Sequence, residues 1–396
     1  MKRIAAVFRG NLDNRKGATN ATLSRIRHLQ EALGQKVDVY CISMYDSWLA
    51  KCMRSKKVQK INTASRPESI EVDGISITMI WMKFSFIDSL LHRCGKKQIC
   101  AGRFFDKISK KFSGYDLIMA HCDIPGSLAF TIYRKFNVPY TVTWHGSDIN
   151  VEPHRGKYYY ALISRILENA TCNFFVSKAL MDSSMRITRN AHSVLAYNGA
   201  DESFQRYNDT IIGKLRSEFG LDDNDKVVGF VGNVIPIKNV MSLPKIFSII
   251  ERNAKQSVKF WIIGDGELRS NVEKEVTALG LKEKVRFWGN QPFAKMPDLM
   301  NCIDVLLLPS LNEGLPLVTV EAMKCGASVF GADVGGISEI LGKENVVAHG
   351  DGFEEKMAQL ACSALSEKPQ QTVGNCFSWS NTARIEAEAC RSILKK

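Results

Sequence analysis

Short apolar runs alternate with stretches of helical periodicity along the whole chain. The runs predict strands at residues 3–8, 37–42, 75–81, 116–121, 140–144, 172–176 and 193–197 in the first half, and at 227–231, 258–263, 285–288, 305–308, 327–330 and 345–348 in the second. The run at 75–81 fits a hairpin arm or an edge strand. Amphipathic segments predict helices at about 18–33, from 125, at 158–167 and at 379–394. Continuous apolar runs separated by helices are typical of parallel strands buried on both faces, so the pattern predicts an α/β fold with parallel sheets.

Two domains are expected from the length and from a change of composition near the middle. At 396 residues the chain exceeds what one hydrophobic core usually holds. The segment Asn198–Asp201 has the composition of a turn, and the polar stretch that follows to Asn208 has no periodicity. We therefore predict a first domain at 1–203, a second domain at 204–376 and a C-terminal helix in 377–396.

The composition is that of a globular protein, with 45% hydrophobic and 24% charged residues. No apolar run approaches the roughly 20 residues of a membrane span, and the basic, briefly apolar start fits a first strand better than a signal peptide. The eleven cysteines include no C-x-x-C pair. Reduced cysteines in a cytosolic protein are therefore expected, and a disulfide or zinc framework is the less favoured alternative.

Positive charge is concentrated in one part of the chain. The net charge is +12, and the segment from Lys51 to Lys111 holds 14 Lys and Arg residues against 5 Asp and Glu. Within it, residues 82–112 interleave Phe, Ile and Leu with basic side chains, which suits a surface lying on anionic lipid head groups. Nucleic acid would be attracted to the same charge, and an ordinary solvated helical face explains the pattern equally well.

Glycine and polar residues follow the predicted strands of the second domain. Carboxyl ends of parallel strands meet at one edge of a sheet, where open α/β sheets bind ligands. Glycine lets the backbone approach a ligand closely, and a helix N-terminus attracts phosphate. The residues are Gly232, Asn233 and Lys238 after the first strand, Gly264–Gly266 after the second, Gly289 and Asn290 after the third, and 311–314 after the fourth. Each of these residues alone is more often part of a turn or a solvated side chain. Together they predict a binding site for a nucleotide diphosphate at this edge of the sheet.

Two glutamates flank the start of the helix that follows the strand at 305–308. Pro316 suits the first turn of that helix, because this position needs no backbone donor. Glu321 falls inside the helix, where a carboxylate is costly unless it accepts strong hydrogen bonds, and ribose hydroxyls would supply them. Glu313, just before the helix, would face another part of the ligand. As an alternative, both are surface charges.

The segment EGLPLVTVEAM, with seven residues between Glu313 and Glu321, resembles the E-x7-E signature of the retaining glycosyltransferases of family four. The segments GDGEL at 264–268, VRFWG at 285–289, DVLLLPS at 304–310 and ADVGGISEIL at 332–341 agree with that family. WHGSD at 144–148 resembles its His-Gly segment, YNGAD at 197–201 its domain junction, and the helix with Trp379 its returning helix. The resemblance implies the GT-B fold: two Rossmann-like domains that face a central cleft, with the C-terminal helix crossing back to the first domain.

The same resemblance implies a role for each candidate residue. Glu321 would bind the ribose of a nucleotide sugar, and Glu313 would contact sugar hydroxyls near the reacting carbon. Lys238 and the backbone of 314–317 would hold the diphosphate, and His145 would reach the donor sugar from the other domain. The expected catalytic residues are Glu313 and His145; the expected donor-binding residues are Gly17, Gly232, Asn233, Lys238, Gly264, Trp288, Asn290, Gly314, Leu315, Pro316, Leu317 and Glu321, with Gly264 and 288–290 bordering the base.

Two positions depart from the family's pattern. Asn233 stands where the family often has arginine, so Lys238 would neutralise the phosphates with less help. The family's N-terminal glycine pair is present only as Gly17-Ala18.

The resemblance implies retention by same-face attack, with the leaving phosphate helping to deprotonate the acceptor. No metal ion or cofactor is expected on this scheme, and Asp148 either ligates something or caps the segment after it.

We therefore expect a retaining glycosyltransferase. It would move a hexose or N-acetylhexosamine from a nucleotide diphosphate sugar, a UDP-sugar in the first instance, to a glycan or lipid-linked acceptor in surface polysaccharide or glycolipid synthesis. It would act in the cytoplasm against the anionic inner face of the membrane, with no nucleic-acid partner. The alternative is a sugar-nucleotide 2-epimerase of the same fold, which needs no acceptor. A nicotinamide dehydrogenase is disfavoured because no G-x-G-x-x-G follows either domain's first strand.

Overall fold

The computed structural model describes residues 2–10, 12, 17–46, 66–189, 191–367 and 371–395. Residues 51–65, the first part of the basic segment, lie outside this described set. The chain divides into two compact units, Met1–Asn198 with Ser378–Lys396 and Gly199–Phe377. They are called the first and the second domain below.

The first domain is built on an eight-stranded sheet. Its strands are β1 (Ile4–Arg9), β2 (Asp38–Asp46), β3 (Ser69–Val72), β4 (Ile75–Phe84), β5 (Leu117–His121), β6 (Tyr140–Trp144), β7 (Cys172–Phe175) and β8 (Ser193–Leu195), and its helices up to the domain junction are α1 (Gly17–Leu33), α2 (Phe86–Arg93), α3 (Ile99–Ile108), α4 (Asp123–Phe136), α5 (Ser147–Asn150), α6 (Lys157–Asn169) and α7 (Lys178–Met185). The strand order is β3-β4-β2-β1-β5-β6-β7-β8. All neighbouring strands are parallel except the antiparallel pair β3 and β4.

The central strands explain why the sequence carries continuous apolar runs. Every residue of β5, β6 and β7 is buried, because helices cover both faces of the sheet. The polar groups among them are paired: Nε1 of Trp144 donates to Oδ1 of Asn173 at 2.9 Å. Of the two alternatives for the run at 75–81, the hairpin arm is observed. It forms β4, which pairs with β3 on one side and with β2 on the other, so it is not an edge strand.

The second domain contains a six-stranded, fully parallel sheet. Its strands are β9 (Lys226–Val231), β10 (Val258–Ile263), β11 (Val285–Gly289), β12 (Val305–Leu308), β13 (Ser328–Ala332) and β14 (Val346–Val347), and its helices are α8 (Asp209–Glu218), α9 (Leu243–Asn253), α10 (Arg269–Ala278), α11 (Met296–Asn301), α12 (Leu317–Lys324), α13 (Ile337–Leu341) and α14 (Phe353–Ser366). The order β11-β10-β9-β12-β13-β14 reverses direction between β9 and β12. This reversal is the topological switch point at which doubly wound sheets bind ligands.

Both domains are therefore Rossmann-like, and the predicted α/β class is confirmed. In each sheet, the first strand of the domain lies in the middle and later strands are added outward on both sides, except that β3 lies outside β4 in the first sheet. The basic stretch at 82–112 forms the end of β4 and the amphipathic helices α2 and α3. No helix in the described ranges is long and apolar enough to cross a membrane.

The C-terminal helix, α15 (Trp379–Leu394), belongs to the first domain. Its residues Ala387 and Cys390 are buried in the core formed by β1, β2, β5 and α1. The indole of Trp379 stacks on the imidazole of His28, with ring centroids 6.1 Å apart. The first domain therefore closes its core with the last helix of the chain, as the predicted fold requires.

A buried charged network joins α15 to α1. Arg25 forms an ion pair with Glu386, and the two side chains are 0% and 1% exposed. Nε of Arg25 donates to Oδ1 of Asn198 at 2.8 Å, and its Nη2 donates to the carbonyl of Ala196. The guanidinium thus contacts three acceptors from two separate parts of the chain, and a buried charge requires such partners.

Candidate functional site

The carboxyl ends of β9 and β12 carry a compact cluster of charged and polar side chains. Lys238, in the turn after β9, forms an ion pair with Glu313 after β12, with Nζ and Oε1 2.5 Å apart. Ser310 Oγ donates to the same Oε1 at 2.7 Å, and His349 Nε2 lies 2.9 Å from the carbonyl oxygen of Ser310. Lys238 and Glu313 are 23% and 10% exposed. The residues expected to bind phosphate and sugar separately are therefore in direct contact.

The loop that carries Glu313 is fixed from two sides. The amide of Leu311 donates to the carbonyl of Ile237 at 2.8 Å, which ties the loop to the turn of Lys238. On the other side, Gly335 has φ +54°, and a Cβ built there would lie 1.9 Å from the carbonyl oxygen of Glu313. Glycine at 335 is therefore required if Glu313 is to keep its position.

Replacing Gly335 by alanine tests this contact. We expect turnover of the predicted sugar transfer to fall by about 10²-fold, because a shift of the loop by about 1 Å misplaces Glu313. Gly280→Ala is the matched control: Gly280 also has a positive φ, +72°, but an added Cβ meets nothing within 4 Å. The Gly280→Ala variant therefore carries only the cost of placing alanine at a positive φ. Initial rates and thermal unfolding are measured for both variants, and equal losses of activity would contradict the role given to Gly335.

The glycines after β9 and β10 are required by the packing of their own loops. Gly264 has φ +127°, and a Cβ built there would lie 2.0 Å from the carbonyl oxygen of Gly232. The amide of Gly264 donates to the carbonyl of Gly289 at 2.8 Å, which draws the ends of β9, β10 and β11 together. Asn233, next to Gly232, is half-buried. Loop packing is thus sufficient to explain Gly264, and its approach to a donor stays a prediction.

Helix α12 begins directly after the loop of Glu313. Pro316 occupies its N-cap position, and no side chain caps the first turn. Leu315 and Pro316 are buried, whereas Gly314 and Leu317 are half-buried. The amide of Gly336 donates to the carbonyl of Gly314 at 2.9 Å, which fixes the entry to the helix. The amide of Thr319 donates to the carbonyl of Pro316 at 3.1 Å. The amides of Leu317 and Val318 are therefore the first-turn donors that this end offers to an anion.

Glu321 lies within α12 and is half-buried. Burial raises the pKa of its carboxyl to about 7, the carboxylate of Asp201 raises it further and Lys324 lowers it. Within the described residues, no side chain donates a hydrogen bond to this carboxylate. Glu321 is therefore a partly desolvated acceptor to which no described side chain donates, which is the property expected of a group that binds hydroxyls.

Trp288 and Asn290 have different surroundings. The indole of Trp288 packs edge-on against Trp261 and Phe219, with centroids 5.0 and 5.2 Å away. The guanidinium of Arg286 lies 3.7 Å from the centroid of the same ring. Asn290 is exposed. The indole is thus held by protein contacts, and Asn290 is the more accessible of the two side chains for a base.

In the first domain, His145 follows β6 at the carboxyl edge of the sheet. The backbone amides of His145 and Gly146 donate to the carboxylate of Asp148 at 3.0 and 2.7 Å. Asp148 therefore holds the turn before α5, whose N-cap residue is Gly146 and which has no side-chain cap, so the predicted cap of the following segment is wrong. Burial and the nearby charge of Arg25 lower the pKa of His145 to about 3, so its imidazole is neutral near pH ~7. Its Nε2 is buried without a hydrogen-bond partner in the described part of the chain.

A second histidine lies beside His145, and sequence reasoning did not select it. His121 ends β5, is 2% exposed, and has its ring centroid 5.8 Å from that of His145. Burial, with smaller effects of His145 and Arg25, holds the pKa of His121 well below its usual range. Its Nδ1 has no partner among the described residues. The signal that could have found it is its place at the end of a strand that pairs with β6.

Gly17 is the first residue of α1, and an added Cβ there would meet nothing within 4 Å. Residues 13–16, directly before it, lie outside the described set. Packing within the domain therefore does not require glycine at this position. Its contact with a donor stays a prediction.

Ser310, His349 and Gly335 are the other residues of the Glu313 cluster that sequence reasoning missed as site residues. His349 follows β14, which is not adjacent to β12. No local pattern marks such residues, because their contact depends on the order of the strands. In the described ranges, no group of three or more His, Cys, Asp or Glu side chains is arranged to hold a metal ion.

A family model described as glycosyl transferases group 1 matches residues 212–372, which include Lys238, Glu313 and Glu321. The match covers less than half of the chain and lies within the second domain. Among curated relatives, the chain is 27% identical over 259 residues to TuaC of Bacillus subtilis, named a putative teichuronic acid biosynthesis glycosyltransferase. The alignment covers 65% of this chain and 62% of TuaC. The chain thus spans less than two thirds of that relative.

Two further comparisons concern a second relative and the fold. The N-acetyl-alpha-D-glucosaminyl L-malate synthase of Bacillus anthracis is 27% identical over 243 residues, covering 60% of each chain. A crystal structure of HepE from Anabaena, in complex with UDP and glucose, superposes with a TM-score of 0.69 and 19% identity, covering 99% of this chain and 97% of HepE. The chain therefore shares the fold of that structure.

Proposed function

We propose that this protein is a group 1 glycosyltransferase that transfers a hexose or N-acetylhexosamine from a nucleotide diphosphate sugar to a glycan or lipid-linked acceptor. The anomeric configuration is retained, and no metal ion or cofactor takes part. The observation that carries the proposal is the Lys238–Glu313 pair at the switch point between β9 and β12, beside the start of α12. A cation, free helix amides and a carboxylate at one point are the groups that a diphosphate and a sugar hydroxyl require.

The ion pair gives each partner a task when the donor binds. Lys238 moves its charge to the diphosphate, and Glu313 is released to accept hydrogen bonds from hydroxyls of the donor sugar. In the reaction, the bond from the anomeric carbon to the diphosphate breaks, and its electron pair stays on the leaving phosphate. The acceptor oxygen bonds to the same face of that carbon, and its proton passes to the leaving phosphate. Lys238 and the α12 amides stabilise the negative charge that develops there.

The remaining site residues bind and orient the donor. Glu321 accepts hydrogen bonds from the ribose. The ribose hydroxyls supply the hydrogen bonds to water that burial reduces at this carboxylate. Asn290 and the backbone at Gly264 border the base. His145, neutral and with Nε2 unpaired in the described part of the chain, forms one hydrogen bond with the donor sugar. Gly17 lets the backbone of the α1 start approach the donor.

The donor and pathway are proposed from the relatives. HepE was crystallised with UDP and glucose, which supports a UDP-sugar as the donor. The name of TuaC refers to teichuronic acid biosynthesis, which supports a role in surface polysaccharide or glycolipid synthesis. Both statements concern those proteins, and their transfer to this chain is part of the proposal.

Contact with the cytoplasmic face of an anionic membrane is proposed for α2 and α3. Exposed apolar side chains on these helices lie among basic residues: Phe86 is 46% exposed, Ile87 62%, Leu90 54% and Ile99 48%. Lys110 and Lys111 follow α3 and are exposed as well. Such a mixture of apolar and basic side chains suits the interface of a negatively charged bilayer.

Nucleotide sugars of different bases test the proposed reaction. We expect UDP-sugars to raise the thermal unfolding temperature more than GDP- or ADP-sugars, since a ligand at 100 times its Kd adds about 2.7 kcal/mol. Lys238→Ala should abolish the shift, and Lys245→Ala, an exposed lysine outside the site, should not. Product configuration is then read by NMR. An inverted product would reject retention, and epimerised nucleotide sugar formed without acceptor would favour the 2-epimerase.

A further inference from the structure

A cavity of about 500 Å³ lies in the first domain between α2, α3, α4 and α6. Its volume is within the range of small-molecule sites. Apolar side chains that include Met82, Phe105 and Leu162 form part of its wall. None of the donor-binding residues assigned above lines it. The cavity is therefore available for a second substrate.

The cavity wall carries unpaired positive charge. Lys97, Arg134 and Arg165 line it, and none of them forms an ion pair with any described residue. A fourth cation, Lys135, is neutralised by Asp106, with Nζ and Oδ1 2.6 Å apart. An apolar wall with three unneutralised cations is complementary to an anion that carries an apolar group.

One end of the cavity reaches the edge of the sheet at which ligands bind. Asp123 lines the cavity and is the first residue of α4, directly after the end of β5. Burial raises the pKa of its carboxyl to about 6, and the carboxylates of Asp148 and Glu152 contribute to the increase. A partly desolvated carboxylate at this point is suited to accept a hydrogen bond from a hydroxyl.

The outer side of the cavity adjoins exposed apolar side chains. Leu90 on α2 and Ile99 at the start of α3 are 54% and 48% exposed, and both helices contribute residues to the cavity wall. An apolar chain that leaves the cavity past these two helices would meet exposed apolar side chains on both of them. Charge alone would fit a soluble phosphate, but this surface favours a lipid phosphate.

We infer that this cavity is the acceptor site and that the acceptor is a lipid phosphate. Its hydroxyl binds Asp123, its phosphate is neutralised by Lys97, Arg134 and Arg165, and its apolar chain leaves past α2 and α3. The inference rests on the proposed function and adds to it the chemical class of the acceptor and the residues that hold it. Asp123 acts as a positioning residue for the hydroxyl.

Binding of dodecyl phosphate, below its micelle concentration, to the full chain tests the charge complementarity. We expect the triple variant Lys97→Gln, Arg134→Gln, Arg165→Gln to bind at least about tenfold more weakly than the unaltered protein. The matched control replaces three exposed cations outside the cavity wall, Lys96, Arg103 and Lys107, by glutamine. The inference is overturned if the control loses as much affinity. If inorganic phosphate binds as tightly as dodecyl phosphate, the cavity binds a free anion. If dodecyl maltoside binds as tightly, the cavity recognises an apolar chain alone. Either result also overturns the inference of a lipid phosphate.

Asp123→Asn separates the inference from the proposed function. We expect the KM for the lipid acceptor to rise at least about tenfold, with the thermal shift produced by a UDP-sugar unchanged. Ala161→Trp fills the cavity from an exposed wall position and should have the same effect. An unchanged acceptor KM in both variants overturns the acceptor site while the donor reaction stands. A lost UDP-sugar shift in the unaltered protein would instead reject the proposed function.

Discussion

Replacing Glu313 by glutamine lowers kcat by about 10² to 10³-fold, the usual effect of removing one preorganised electrostatic group. The amide keeps the shape of the side chain but loses the negative charge beside the reacting carbon, where positive charge develops. Donor affinity should change little, because Lys238 loses its partner at 2.5 Å and its charge becomes available to the diphosphate. The measurement is kcat at saturating donor, together with the Kd of the donor by calorimetry.

Glu321→Gln is the matched control for this prediction, since it makes the same chemical change eight residues further along. Its expected effect is the reverse: the donor Kd rises about tenfold, because a hydrogen bond to a charged acceptor is lost, while kcat is largely kept. A fall of kcat and of donor affinity together in Glu313→Gln would show that the two glutamates do not divide binding and chemistry as proposed.

Replacing Arg25 by methionine lowers the free energy of unfolding of the first domain by about 3–5 kcal/mol, as expected when one partner of a buried ion pair is removed. The carboxylate of Glu386 would remain buried without its counter-charge, and its Oε2 already lacks a partner among the described residues. Asn198 and the carbonyl of Ala196 would lose their donor as well. Urea unfolding followed by circular dichroism measures the loss.

The pH dependence of this loss identifies its cause. Burial raises the pKa of Glu386 even with Arg25 present, and the increase should be larger in Arg25→Met. A carboxyl whose pKa is higher in the folded state destabilises the fold as pH rises above its unfolded pKa, since the unfolded chain releases the proton first. The deficit should therefore be smaller at about pH 5 than at about pH 8. A deficit independent of pH would mean that lost packing, not charge, is responsible.

Two controls separate the charge from the packing of the helix. The double variant Arg25→Met, Glu386→Met should recover most of the stability, because apolar side chains often replace a buried ion pair without loss. Arg384→Met breaks a pair on the same helix whose side chains are both 60% exposed, and should change stability little. A double variant as unstable as Arg25→Met would show that the network is needed for its hydrogen bonds.

Much of the fold could be predicted from local patterns. The strands at 140–144, 258–263 and 305–308 and the helix at 379–394 have the predicted bounds, because a continuous apolar run or a clean helical period depends on nearby residues alone. The helices α2 and α3 were less clear, since apolar and basic residues alternate there without one buried stripe. Membrane contact and an ordinary helical face could not be separated on that pattern.

The candidate site was predicted in part. Lys238 and Glu313 were each selected, since both follow strands of one sheet. Their contact was not, because they are separated by 75 positions and meet only through the pairing of β9 with β12. His121 and His349 needed the same knowledge of strand order. Gly335 carries no side chain at all, and its importance comes from a backbone contact with the Glu313 loop.

The position of α15 in the first domain has a consequence for synthesis of the chain. Residues 378–396 leave the ribosome after the whole second domain, yet they supply Glu386 and cover α1 and β1. Domains generally fold in the order in which they are made. Here the first domain cannot complete its core until the last helix, α15, has been made. Until then, the Arg25 guanidinium and an apolar face lack their cover. A nascent chain that stalls within the second domain would therefore expose a surface that chaperones bind.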